Sequence, residues 1–142
     1  MLATRGSPSG NDATAFAAEL ALALGAALRI VHVVPAIEYR VGRLAPMRAV
    51  ERKLTDPFES PVLSRARELA WRHGVVATLE LRSGDPPRAI VAATVSGHAD
   101  LLVIGAWNRG RAFGRRAATR RWIEANSPCR VLTPAVRGEL AL

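Results

Sequence analysis

The sequence predicts an α/β fold, a doubly wound parallel sheet with helices on both faces. Three observations carry this expectation. Apolar runs of strand length alternate with stretches of helical period along the chain. Two of the runs, 27–34 and 101–104, are continuously apolar apart from Arg29 and His32, as strands covered on both faces are. Glycine or proline punctuates most junctions, at Gly25, Pro35, Gly74, Gly97, Gly105 and Pro134.

Length and composition set the frame. A chain of 142 residues is expected to form one domain over 1–142 and can bury a sizeable core. Apolar residues make up 49% and charged residues 23%, which suits a globular protein and not a disordered one. No apolar run approaches the ~20 residues of a membrane span, and the first residues lack the hydrophobic region of a signal peptide. Cys129 is the single cysteine, so an internal disulfide is excluded and a cytoplasmic location is expected.

Residues 1–4 read as the end of a first strand, followed by a turn over 6–11. Asn11 or Asp12 is the expected N-cap of a helix with Phe16, Leu20 and Leu24 on one face, Ala17 and Ala21 beside them, and a stop near Gly25. The second strand, 27–34, ends at Pro35. Residues 36–60 are a variable surface connection or a lid over a ligand, with a short helix over about 47–54. A further helix spans 60–73, with Leu63, Ala66, Leu69 and Ala70 facing inward. Residues 75–82 alternate enough for a strand near a sheet edge. A turn over 83–87 leads into a helix that ends at Gly97. The fourth strand, 101–104, is followed by a helix over about 116–126, with Thr119, Trp122, Ile123 and Asn126 inward. The last strand covers 129–133, before Pro134.

The stretch after the fourth strand carries the chemistry. An apolar run ends at Gly105, and a basic loop and a helix follow. Strand, glycine-bearing loop and helix N-terminus are how parallel α/β proteins build anion sites, because free backbone N–H groups and the helix dipole point at the loop. The net charge is +8, and six arginines (109, 111, 115, 116, 120 and 121) with no acid lie between 105 and 121, so the rest of the chain carries only +2. Lys53 is the sole lysine, a bias that a genome rich in Arg and Ala codons would also produce. The local concentration, however, points to an anionic partner. Cations at a helix N-terminus are disfavoured by about 0.3–1 kcal/mol each when exposed. An Arg120–Glu124 pair returns only a few tenths of a kcal/mol. A bound anion would offset the cluster; otherwise it is a solvated, tolerated basic face.

Other motifs are weak. The run Gly105-x4-Gly110-Arg111-Ala112 lacks the Lys and the Ser or Thr of a P-loop. His32, His73 and His98 have no metal-ligand spacing. Cys129 reads as a packed small hydrophobe. Trp107 either stacks on a base or covers the strand end. No nucleophile and base, and no paired carboxylates, are evident, so nothing calls for catalysis.

Six stretches in order carry a resemblance: Ala3-Thr4-Arg5-Gly6-Ser7-Pro8-Ser9, Leu24-Gly25-Ala26, Val31-His32-Val33-Val34-Pro35, Gly84-Asp85-Pro86, Ala99-Asp100-Leu101-Leu102-Val103-Ile104-Gly105 and Ser127-Pro128-Cys129-Arg130-Val131-Leu132. Over nearly its whole length the chain resembles the universal stress protein family. The resemblance implies a five-stranded parallel sheet of order 3-2-1-4-5, a Rossmann-like arrangement, and a homodimer paired along the last strand, 129–133. A first strand so close to the start is then stunted, or the true start lies upstream. Pro134 implies a short or shifted dimer contact.

ATP-binding members have an acidic residue after the first strand and the pattern G-x2-G-x9-G-[S/T] after the fourth. Here the acidic position is Arg5. Gly105 keeps the first glycine, the second falls on Asn108, and the last pair falls on Ala118-Thr119 or, with a one-residue deletion, on Ala117-Ala118. Those glycines let backbone N–H groups approach phosphate. Gly110 and Gly114 offer flexibility at shifted positions. The implied pocket is lined by Arg5, Val33, Gly105, Asn108, Arg109, Gly110 and Arg111, with backbone N–H groups near Ala117, Ala118 and Thr119. It is expected to be degenerate, with ATP a weak ligand and no cofactor certain. The reading is a regulatory binding domain of the stress response. The alternative is non-specific nucleic-acid or polyanion binding through 105–121. Slow ATP hydrolysis is a third reading, for which the sequence offers no base.

Overall fold

The computed structural model describes residues 1–35, 56–105 and 113–134, and among these five strands and four α-helices alternate. They run β1 (Leu2–Ala3), α1 (Pro8–Leu24), β2 (Arg29–Pro35), a 3-10 turn (Pro57–Glu59), α2 (Pro61–Arg72), β3 (Thr78–Gly84), α3 (Pro86–Ser96), β4 (Leu101–Ile104), α4 (Phe113–Asn126) and β5 (Arg130–Leu132). All strand pairs are parallel, in the order β3-β2-β1-β4-β5. The doubly wound α/β expectation and the implied strand order both hold.

The period of two along each strand divides the core into two layers. Leu2, Leu28 and Ile30 pack with Ala13, Ala17 and Ala21 of α1 and with Leu63, Ala66 and Ala70 of α2. On the other face Ala3, Leu102 and Ile104 meet Ile123 of α4, and Val31 and Val33 meet Ala93 of α3. β1 is only two residues long, yet it pairs on both sides: Leu2 with Ile30 and Val103, and Ala3 with Val31 and Ile104. Its ladder continues through Met1, whose carbonyl accepts from the Val103 N–H at 2.8 Å, and Thr4, whose N–H donates to the Val31 carbonyl at 3.0 Å.

Several local expectations are corrected. α1 starts four or five residues earlier than expected, because Ser7 and not Asn11 or Asp12 is the N-cap: its Oγ accepts from the Gly10 N–H at 3.1 Å, and Pro8 takes the first helical position. Its buried face is Ser9, Gly10, Ala13, Thr14, Ala17, Ala18 and Ala21, whereas Phe16 and Leu24 are exposed. α4 begins at Phe113, three residues before 116. Of its expected inward face only Ile123 is fully buried; Trp122 is 37% exposed, and Asn126 is exposed, its side chain donating to the Trp122 carbonyl.

α3 runs to Ser96, and the left-handed residue after it is His98, one place beyond Gly97. α2 matches its expected span, with Ser60 as N-cap. The short helix over 47–54 lies outside the described residues. β5 ends at Leu132, so Pro134 stands two residues past it and takes no donor from the strand.

Candidate functional site

The carboxyl ends of β1 and β4 converge on the first turn of α1. After β1 the chain turns through Thr4, Arg5, Gly6 and Ser7. The Gly6 N–H donates to Thr4 Oγ1 at 3.2 Å, and Gly6 has a positive φ of 77°. His32 Nδ1 lies 2.9 Å from the Thr4 carbonyl oxygen. A carbonyl only accepts, so His32 carries its ring proton on Nδ1 and leaves Nε2 as the acceptor when neutral. Ser7 Oγ and Ser9 Oγ share a hydrogen bond of 3.0 Å, and Thr14 Oγ1 donates to the Gly10 carbonyl at 2.7 Å.

Close backbone approach explains two glycines here. A Cβ on Gly105 would meet the Ser9 carbonyl oxygen at 3.2 Å and the Gly10 nitrogen at 3.3 Å; one on Gly10 would meet Thr4 Oγ1 at 2.8 Å. The end of β4 therefore rests directly on the start of α1, and the turn bearing Arg5 borders the same place.

The expected site residues fall as follows. Arg5 is exposed, immediately after β1, and Gly105 is half-buried at the end of β4. Both border the first turn of α1. Val33 is buried in β2 among Val31 and Ala93, opposite Arg82 of β3 in the strand register. Asn108, Arg109, Gly110 and Arg111 lie outside the described residues, as does Trp107.

Ala117, Ala118 and Thr119 are the fifth, sixth and seventh residues of α4, with Ala118 exposed and Thr119 half-buried. With Phe113 as the first helical residue, the N–H groups of Phe113, Gly114 and Arg115 have no acceptor within the helix. The N–H groups available at this helix start therefore lie just ahead of 117–119. Thr4, Ser7, Ser9 and His32 were not expected at this corner. The pair Ser7-Pro8 was the legible signal, since it combines a capping hydroxyl with proline at the first helical position.

At the opposite end of β1, the Met1 amino group donates to the Leu101 carbonyl at 2.8 Å. Burial, with Arg29 adding to it, lowers its pKa below the ordinary 8.0, while Cys129 and Asp100 act the other way. Cys129 is half-buried against Ala3 and Leu102, a packed small side chain. Among the described residues no three His, Cys, Asp or Glu side chains converge as metal ligands do, and no helix is long and apolar enough to cross a membrane.

The sequence matches the universal stress protein family model over residues 1–123. The chain belongs to the universal stress protein family. No curated protein matches it. Among solved structures, a universal stress protein in complex with cAMP aligns at 23% identity over 95% of this chain and 94% of its own, with a TM-score of 0.68. The universal stress protein UspA from Lactobacillus plantarum aligns at 19% identity over 94% and 95%, with a TM-score of 0.70. One from Archaeoglobus fulgidus aligns at 23% over 93% and 89%, with a TM-score of 0.64. At these identities the likeness is one of fold.

Proposed function

We propose that this universal stress protein is a nucleotide-responsive regulatory domain, not an enzyme, whose pocket lies over the carboxyl ends of β1 and β4 and is degenerate for ATP. One observation carries the reading. The turn after β1, where ATP-binding members place an acid, presents Arg5 at the corner formed by Gly105 and the first turn of α1. A guanidinium cannot accept the hydrogen bonds or hold the cations that a carboxylate can. The solved relative in complex with cAMP supports a nucleotide as the ligand class. Its function then belongs to the stress response and to the cytoplasm, with a homodimer paired through β5.

Titration with a fluorescent ATP analogue tests the pocket. The expected result is weak binding that Mg²⁺ does not tighten, and Arg5→Asp strengthens it. Tight, Mg²⁺-dependent binding by the unaltered chain overturns the degenerate reading, and phosphate release above background overturns the non-enzymatic one. For the dimer, a monomer mass in light scattering across the accessible concentration range would count against pairing through β5.

A second reading is polyanion or nucleic-acid binding through 105–121. It is favoured by the early start of α4, which makes Arg115 and Arg116 the third and fourth residues of the helix, beside its free N–H groups. Each phosphate contact releases counterions, so affinity should fall steeply with salt. An oligonucleotide shift that persists in about 0.5 M salt, or that is unchanged in Arg115→Ala/Arg116→Ala, rejects it.

A further inference from the structure

On the α1/α2 side of the molecule, away from the corner at Gly105, the outer stripe of α2 lines a groove of about 630 Å³ formed with Val75 and Val76 ahead of β3. Ser64, Arg67, Glu68 and Trp71 contribute its helical wall, at the three- and four-residue spacing that puts side chains on one helix face. Trp71 is 66% exposed and Val76 76% exposed at one end, while Phe58, in the 3-10 turn before α2, is 65% exposed near the other. Exposed apolar side chains grouped in this way mark an interaction surface more than scattered ones do.

The order of residues along the stripe says what fits it. Take a second α2 laid antiparallel, with a two-fold axis passing between positions 67 and 68. Position 64 then faces position 71 of the other copy, and 67 faces 68. The indole of Trp71 meets the small Ser64, and the guanidinium of Arg67 meets the carboxylate of Glu68. Beyond the helix, Val76 of one copy approaches the Phe58 end of the other, where the Arg67 guanidinium already lies 5.5 Å from the Phe58 ring centroid. Large meets small, cation meets anion and apolar meets apolar, each pairing occurring twice, as an isologous contact requires.

We infer that this stripe of α2 is a self-association surface whose occupant is the α2 stripe of a second copy of the chain, packed antiparallel. The contact is separate from any pairing through β5, so a chain that uses both faces forms assemblies larger than a dimer. Glu68 already pairs with Arg72 at 2.6 Å, and the partner's Arg67 joins that carboxylate. The net charge of +8 repels a second copy, so association is expected to be weak and concentration-dependent.

Sedimentation velocity over a concentration series, with variants at the two central positions, tests this. The unaltered chain should show an added mass step as concentration rises. Arg67→Glu and Glu68→Arg should each abolish it, because each places like charges across the axis. Mixing the two variants in equal amounts should restore the step, as should the double exchange Arg67→Glu/Glu68→Arg. Trp71→Ala should also abolish it, with an unchanged melting temperature because the side chain is exposed.

Pairing through β5 does not involve these positions and is indifferent to all of these changes. A mass step that survives both single reversals, or one that mixing fails to restore, overturns the proposal. So does an unaltered chain with no such step, and in that case the groove is left to another partner.

Discussion

Gly97 and His98 stand side by side after α3 and answer to opposite constraints. The Ala99 N–H donates to the Thr94 carbonyl at 3.0 Å and the His98 N–H to that of Val95 at 3.2 Å, the pair of bonds that ends a helix through one left-handed residue. That residue is His98, with φ of 49°, whereas α1 and α2 close on Gly25 and Gly74. A side chain in this conformation costs about 1–2 kcal/mol, offset in part by the backbone entropy a glycine would lose. His98→Gly should therefore stabilise the protein by about 0.5–1 kcal/mol in urea unfolding.

Gly97 is a glycine for another reason. A Cβ there would sit 1.5 Å from Arg29 Nη2, displacing a guanidinium that donates to the Ala93 carbonyl at 2.7 Å and pairs with Glu80 at 3.4 Å. Gly97→Ala should cost about 1–2 kcal/mol. In Arg29→Ala/Gly97→Ala the combined cost should fall short of the sum of the two single costs, since Arg29→Ala removes the guanidinium that a Cβ at position 97 would displace. Additive costs would show that the guanidinium does not occupy this place.

At the scale of elements, α1 shows what was legible and what was not. Its existence and its end at Gly25 follow from the pattern, but its start and its buried face do not. The large apolar side chains of the sequence, Phe16, Leu20 and Leu24, share one face. The helix instead lies so close to the ends of β1 and β4 that only small side chains fit beneath it: a Cβ added to Gly105 would come within 3.2 Å of the Ser9 carbonyl oxygen. Burial here is set by distance to the sheet, which residue size alone does not reveal.

The same limit applies to Trp122, placed inward by its spacing but partly outside, since Ile123 is the α4 residue that takes the place over Leu102 and Ile104. By contrast β2 and β4, whose runs are largely apolar, were readable to within two residues of their ends, whereas the alternating edge strand expected over 75–82 spans Thr78–Gly84. For the candidate site, Arg5 and Gly105 were legible because they flank strands, whereas the hydroxyls of Thr4, Ser7 and Ser9 gain meaning only once α1 is seen to start at Pro8. Ser7→Ala should accordingly cost about 1 kcal/mol, and Asn11→Ala should stay within about 0.5 kcal/mol. The reverse order in thermal or urea unfolding would restore Asn11 as the cap.

For the molecule as a whole, the two-residue β1 joins the β3-β2 and β4-β5 halves of the sheet, and its first backbone nitrogen is the Met1 amino group bound to the Leu101 carbonyl. Because burial lowers the pKa of that group below 8.0, the unfolded chain binds more protons than the folded one between the folded value and 8.0. Unfolding free energy must then rise with pH across that window and level off above it. Read downward, stability is lost as pH falls and the amine takes up a proton where it is partly shielded from water.

The effect of the amine is confined to the range between its folded value and 8.0. Urea midpoints measured for the chain that begins at Met1 should increase over that range. A flat or falling midpoint would mean that the amine is solvated and that the centre of the sheet opens at β1. In that case Leu2→Ala, at a fully buried position, should cost well under the about 2–5 kcal/mol that a closed core imposes.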